Sequence, residues 1–124
     1  MSIRLLLRGI LAAACLAAPV VMAPAAAPAA ALVLCTRVGC PWCARFEREV
    51  GPIYPKTAEG RRAPLRRVEV VAGGTSMAGL REPVVAAPTF VLLDEGVEVG
   101  RITGYLGDDA FWGLLGTMHA GIGA

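Results

Sequence analysis

The chain has little charge of either sign to spare and almost no histidine. Twelve Lys and Arg stand against ten Asp and Glu, and His119 is the single histidine. Two of the basic residues, Arg4 and Arg8, lie near the N-terminus. Without them ten basic residues balance ten acidic ones, so no basic excess points to nucleic acid. The apolar run after Arg8 is also short. Gly9 to Met22 is fourteen residues, whereas a membrane-spanning helix needs about 20. Cysteine is scarce as well, at four residues: Cys15, Cys35, Cys40 and Cys43. The last three spell C-x4-C-x2-C, the opening of a plant-type [2Fe–2S] ligand set, but no fourth cysteine follows to complete it. A zinc site would have to recruit His119, far down the chain beside a Gly-rich end.

What is present begins with a leader. Arg4 and Arg8, the apolar run, and an Ala/Pro-rich stretch from Ala23 to Ala31 have the layout of a secretory signal peptide and linker over residues 1–30. Small residues permit cleavage after Ala25 or Ala29. A membrane anchor is the competing reading. Cys15, preceded by Ala12-Ala13-Ala14, faintly resembles a lipoprotein attachment site, although most of the apolar run lies after it. The remaining chain, about 95 residues, suffices for one small domain with one modest core, expected over residues 31–120 with a flexible end at 121–124. Export matters for thiols. In an oxidising compartment a thiol pair either stays a disulfide or is kept reduced by a dedicated electron donor.

The stretch around which the domain is organised is Cys40-Pro41-Trp42-Cys43, two thiols at a spacing that allows a reversible disulfide. The apolar run Ala31 to Thr36 predicts a buried strand before it, and a helix should follow. Cys40 then falls at the N-cap and Pro41 at the first helical position, where a missing N–H costs nothing. Cys43 shares a face with Cys40. A Cys40 thiolate can accept from the free N–H groups of Trp42 and Cys43 at the positive end of the helix dipole, which predicts a pKa about one unit below ~8.5. Trp42, at the second helical position, is expected to be exposed and able to contact a substrate. Cys35 reads as a small buried hydrophobe, with a regulatory role as the alternative.

Farther on, Phe46, Val50 and Ile53 fall on one helical face until Gly51-Pro52 interrupts it, with helical character ending by Gly60. Arg61, Arg62, Arg66 and Arg67 crowd the approach to a strand at Val68 to Val71. They read as a solvated loop or as a docking patch for an acidic partner or anionic substrate. Thr75 is placed to cap a short helix reaching about Leu80. Thr89 to Leu93, the turn Asp94-Glu95-Gly96 and Val97 to Ile102 predict a hairpin. Asp108 is placed to cap a last helix that buries Phe111, Leu114, Leu115 and Met118. The expected order is β-α-β-α-β-β-α, an α/β domain with a mixed sheet.

Cys40-Pro41-Trp42-Cys43 after a strand, Ala87-Pro88-Thr89 before a hairpin, and the element order resemble the thioredoxin fold from about Ala31 to His119. Within that superfamily, Glu49 to Thr57, Pro88 to Leu92, and Gly104-Tyr105 with Phe111 to Leu115 are similar to the exported thioredoxin-like proteins of bacterial sulfur-oxidation clusters, the SoxS type. The resemblance implies that Cys40 is the attacking thiolate, Cys43 the resolving thiol and Pro88 a cis-proline facing them. A cis turn would leave the N–H and C=O of Ala87 available to an extended substrate segment, while the proline ring would keep a metal out. No metal and no cofactor beyond the Cys40–Cys43 disulfide is expected. There are departures from cytoplasmic thioredoxins. Gly39 replaces the tryptophan before the first cysteine, Pro41-Trp42 replaces Gly-Pro, and Leu34 stands where a buried acid assists proton transfer.

The resulting expectation is a periplasmic, monomeric thiol–disulfide oxidoreductase working through a mixed disulfide. The SoxS-type resemblance favours a reductase, recharged by a membrane electron donor, that frees a cysteine on a sulfur-carrying partner protein. An exported thiol oxidant or disulfide isomerase is the enzymatic alternative. A redox-inert binding module with a structural disulfide is the other, although a four-residue loop removes little chain entropy.

Overall fold

The computed structural model describes residues 14–24 and 28–123. The leader's arginines and the Ala25 cleavage position lie outside the described residues, as does Ala124. Residues 14–24 have no helix or strand and are exposed, Leu16 at 96%. Among the described residues no helix is long and apolar enough to cross a membrane.

Strands β1 (Ala30–Thr36), β2 (Leu65–Glu69), β3 (Thr89–Asp94) and β4 (Val97–Thr103) form one sheet in the order β2-β1-β3-β4. β1 pairs with β2 in parallel, and the other two pairings are antiparallel. The sheet is therefore mixed, as expected, and its central strands β1 and β3 are almost wholly buried. Glu95 (φ 49°) and Gly96 (φ 76°) make the two-residue turn between β3 and β4, with Asp94 opposite Val97. Positive φ at both central positions matches the right-handed twist of the flanking strands.

Helices α1 (Pro41–Glu49) and α3 (Asp108–His119) contribute to one face of the sheet. There Leu32, Leu34, Phe90 and Leu92 meet Phe46, Phe111 and Leu115, all buried. Phe46 sits at the centre, 4.7 Å from Phe90 and 5.1 Å from Phe111 between ring centroids, with tilted planes. This geometry adds quadrupole attraction to area burial. The opposite face, with Val33, Cys35, Val91 and Leu93, is closed by Val70, Val84 and partly buried Met77 and Leu80.

The structure corrects several expectations. The helix break at Gly51-Pro52 slips the phase by one residue, so Tyr54 is buried and Ile53 is 53% exposed. Helical structure does not end by Gly60. A 3₁₀ turn at Tyr54–Lys56 leads into α2 (Ala58–Arg62), capped by Thr57 Oγ1, which accepts from Gly60 N at 3.0 Å. Gly60 lies against the Tyr54 carbonyl with no room for a Cβ. Of the arginines read as a loop, Arg61 and Arg62 end α2, and Arg66 and Arg67 belong to β2. No helix follows Thr75. Its hydroxyl closes a turn, donating to Glu69 O at 3.0 Å and accepting from Val71 N at 3.1 Å, while Thr75 bridges Val84. Gly79, inside the expected span, has a positive φ that no α-helix contains. The order is thus β-α-α-β-β-β-α, with the second helix before β2 rather than after it. Gly107, not Asp108, is the N-cap of α3, and Leu114 is half exposed. The C-terminal end is tied at two points: Arg62 Nη2 donates to Ile122 O and Gly123 N to Asp94 Oδ2.

Candidate active site

The central strand β1 ends at Thr36, and Gly39 (φ 76°) turns the chain into α1. Cys40 takes the extended N-cap conformation (φ −80°, ψ 109°), Pro41 opens the helix, and Cys43 N donates to Cys40 Sγ at 3.2 Å. That cap is the geometry expected from sequence, with Cys43 N alone, not Trp42 N, as donor. Cys40 and Cys43 form a disulfide, with Cα atoms 5.3 Å apart. Their surroundings are unequal: Cys43 is buried at 3% exposure by the first turn of α1, while Cys40 is only partly covered.

The Ala87–Pro88 bond is cis, and Cys40 Sγ lies 3.7 Å from the carbonyl oxygen of Ala87. The loop is pinned on both sides of that residue. Thr89 Oγ1 donates to Ala86 O at 2.7 Å and Gly104 N to Pro88 O at 2.8 Å. Ala87 itself, outside the strands, takes part in no backbone hydrogen bond among the described residues. The disulfide is flanked by two depressions. One, of about 390 Å³, is lined by Trp42, Arg45, Pro88, Tyr105 and Leu106; the other, of about 440 Å³, by Arg37, Cys40, Cys43 and Glu47. Trp42 is 54% exposed. The structure therefore brings Cys40, Cys43, Trp42, Ala87 and Pro88 together around one sulfur pair.

Sequence reasoning missed the wall of the first depression. Glu49 accepts from Tyr105 OH at 2.6 Å and from Arg45 Nε at 2.8 Å, and the Arg45 guanidinium lies 5.8 Å from the centre of the Tyr105 ring. The Tyr105 hydroxyl and Arg45 hold the Glu49 carboxyl below the usual carboxylate range. These contacts fasten the helix carrying the thiols to the chain leaving β4. Spacing could not signal them, because Glu49 and Tyr105 are 56 residues apart.

Leu34 is fully buried in the apolar core, so no carboxylate stands at that position. The buried acid is elsewhere: Glu98, on the loop-covered face, is bound to Arg101 at 2.8 Å and held below the usual range by that hydrogen bond. Cys35 belongs to the same face, where burial pushes its thiol pKa up. His119 lies in the last turn of α3 beside Glu59 and Arg62 of α2, not at the thiols. Among the described residues no group of three His, Cys, Asp or Glu is placed to hold a metal ion.

No family model and no curated protein matches the sequence. Among solved structures, the chain is similar to the periplasmic thioredoxin SoxS from Paracoccus pantotrophus in its reduced form. Identity is 40%, the TM-score is 0.66, and the match covers 73% of this chain and 96% of that one. It is also similar, at 20% identity and a TM-score of 0.49, to a thioredoxin from Malassezia sympodialis (Mala s 13), over 76% of each chain. The mixed sheet, the disulfide at the helix start and the SoxS likeness define a thioredoxin-fold thiol–disulfide oxidoreductase. Within that class, the chain belongs to the SoxS-type thioredoxin family.

Proposed function

We propose that this oxidoreductase works as an exported, periplasmic reductase that restores a cysteine on a protein partner in sulfur oxidation. The observation that carries the reading is the asymmetry of the disulfide: Cys40 is partly accessible and accepts a helix N–H, whereas Cys43 is buried. The reduced protein presents Cys40 as a thiolate, favoured by the helix terminus. That thiolate attacks one sulfur of the partner's disulfide, forming a mixed disulfide and expelling the other partner sulfur as thiolate. Cys43, losing its proton, then attacks Cys40 Sγ. The partner leaves with two electrons, and the Cys40–Cys43 disulfide is restored. A membrane electron donor returns the protein to the dithiol form.

Ala87 and Pro88 supply the docking edge, with the free backbone groups of Ala87 available to an extended segment, and Trp42 and Leu106 offer apolar contact on one side. Direction and partner rest on the likeness to a protein described as a periplasmic thioredoxin SoxS. The residues before β1 act in this reading as the export signal and linker, one residue fewer than the span 1–30 read from sequence, because Ala30 is already paired with Asp94 in the sheet.

A trapping experiment tests the assigned roles. Cys43→Ser should accumulate mixed disulfides on Cys40, because the resolving thiol is gone, and Cys40→Ser should accumulate almost none. Equal trapping by both variants would refute the assignment.

A further inference from the structure

We propose that Arg45 sets substrate specificity by binding a carboxylate on the segment that carries the reacting sulfur, two residues along that segment from its cysteine. This rests on the redox reading above and deepens it by naming the chemistry that the substrate presents beside its cysteine.

The site is the depression on the Trp42 side of the disulfide. Trp42, Arg45, Pro88, Tyr105 and Leu106 line it together with Ala87, whose carbonyl oxygen lies 3.7 Å from Cys40 Sγ. Arg45 follows Trp42 by three residues on α1, so the two side chains share a face of the helix. Among the described residues that line this depression, Arg45 is the only charged one.

Its guanidinium is held from three directions. Nε donates to Glu49 Oε1 at 2.8 Å, the centre of the Tyr105 ring is 5.8 Å away, and a Cβ added at Gly107 would come within 3.6 Å of Nη2. Glu49 is itself fixed, because its other oxygen accepts from Tyr105 OH at 2.6 Å. Asp108, at the start of α3, adds to the negative field around Arg45 but forms no ion pair with it among the described residues. Neither Nη atom makes a hydrogen bond among the described residues, so the terminal fork is open. An oriented fork matches a carboxylate through two parallel hydrogen bonds and loses little further side-chain entropy when one arrives.

Reach fixes the position of that carboxylate. Arg45 is five residues beyond Cys40 on α1, a rise of about 7.5 Å at 1.5 Å per residue. Two residues of extended chain span about 7 Å, and their side chains point to the same side. A segment paired with Ala87 and aiming its cysteine at Cys40 therefore aims the second residue along at Arg45. The residue adjacent to the cysteine points the other way.

The test uses synthetic peptides joined through one cysteine to a small thiol, with Glu or Gln placed either two residues from the cysteine or next to it. At low salt the full protein should reduce the peptide with Glu two residues away with a kcat/KM about fivefold above its Gln counterpart, mostly through KM. The preference should shrink as salt is raised, and it should be absent for the adjacent position. Arg45→Gln should bring the Glu-to-Gln ratio to about one, and Arg45→Lys, a point charge without the fork, should leave it near twofold. A ratio taken within one variant cancels any general loss of activity, and the comparison of peptides on the unaltered protein stands even if Arg45→Gln fails to fold. Equilibrium binding of the same peptides with cysteine changed to serine reads the contact without turnover. Loss of turnover on every disulfide with that binding preference intact would strike the redox reading alone. Equal kcat/KM for Glu and Gln two residues away, the same preference at the adjacent position, or a preference that survives Arg45→Gln would overturn the proposal.

Discussion

The two faces of the sheet are built by different means. On one, α1 and α3 lay Phe46, Phe111 and Leu115 over Leu34, Phe90 and Leu92, a dry aromatic core. On the other there is no helix among the described residues. The segment between β2 and β3 folds over Val33, Cys35, Val91 and Leu93, held by polar ties. Glu98 accepts from Arg101 Nε and from Arg81 N, and Arg101 Nη2 donates to Glu82 O. The helical face fixes Cys40, and the loop-covered face delivers Ala87 and Pro88 to it. A redox site made at the junction thus has one rigid wall and one wall whose position depends on a buried ion pair.

The largest effect should come from Phe46→Ala. Phe46 is fully buried and touches three other rings, so its loss should cost about 3–5 kcal/mol in urea unfolding. A cost below about 1 kcal/mol would show that the helical face is not the stabilising one. Glu98→Gln comes next. Glu98 is 4% exposed, and Gln removes the charge that faces Arg101 while Glu82 stays 3.8 Å from it, so the substitution should cost about 1–3 kcal/mol. Amide exchange should accelerate first at Arg81 and around Val84, before the strands open. Uniform acceleration through β1 would mean that the two faces are one cooperative unit.

The smallest effect concerns pH. His119 is 7% exposed, and its Nε2 has no hydrogen-bond partner among the described residues. Burial and then Arg62 hold its pKa below the ordinary value, against an opposing pull from Glu59. The unfolded chain therefore binds a proton that the folded one resists. Stability should decline as pH falls below about 6.5 and stop declining, for this group, below the folded pKa. His119→Gln should flatten the melting temperature between neutral and mildly acid pH, and an unchanged slope would remove His119 as the cause.

Local chemistry made part of this legible in sequence. Cysteine then proline at a strand-to-helix turn announced the cap, and Glu95-Gly96 announced the hairpin. The loop-covered face was not legible, because Thr75 can cap a helix or close a turn equally well, and here it closes a turn, bridges Val84, and is followed by Gly79 with positive φ. The phase slip that buries Tyr54 depends on how the chain resumes after Pro52, and Tyr54 OH settles it by donating to Ala63 O at 2.7 Å. Gly107 displaced Asp108 as cap because a φ of 116° is needed there. The Glu49–Tyr105 contact joins distant segments and left no local trace.

The reduction potential of the Cys40–Cys43 pair, measured by equilibration with glutathione or dithiothreitol, tests the central claim most directly. A value near −270 mV, where reduced thioredoxins donate electrons, is the result predicted for a reductase. A value near −120 mV would make the protein an oxidant and contradict the proposed direction.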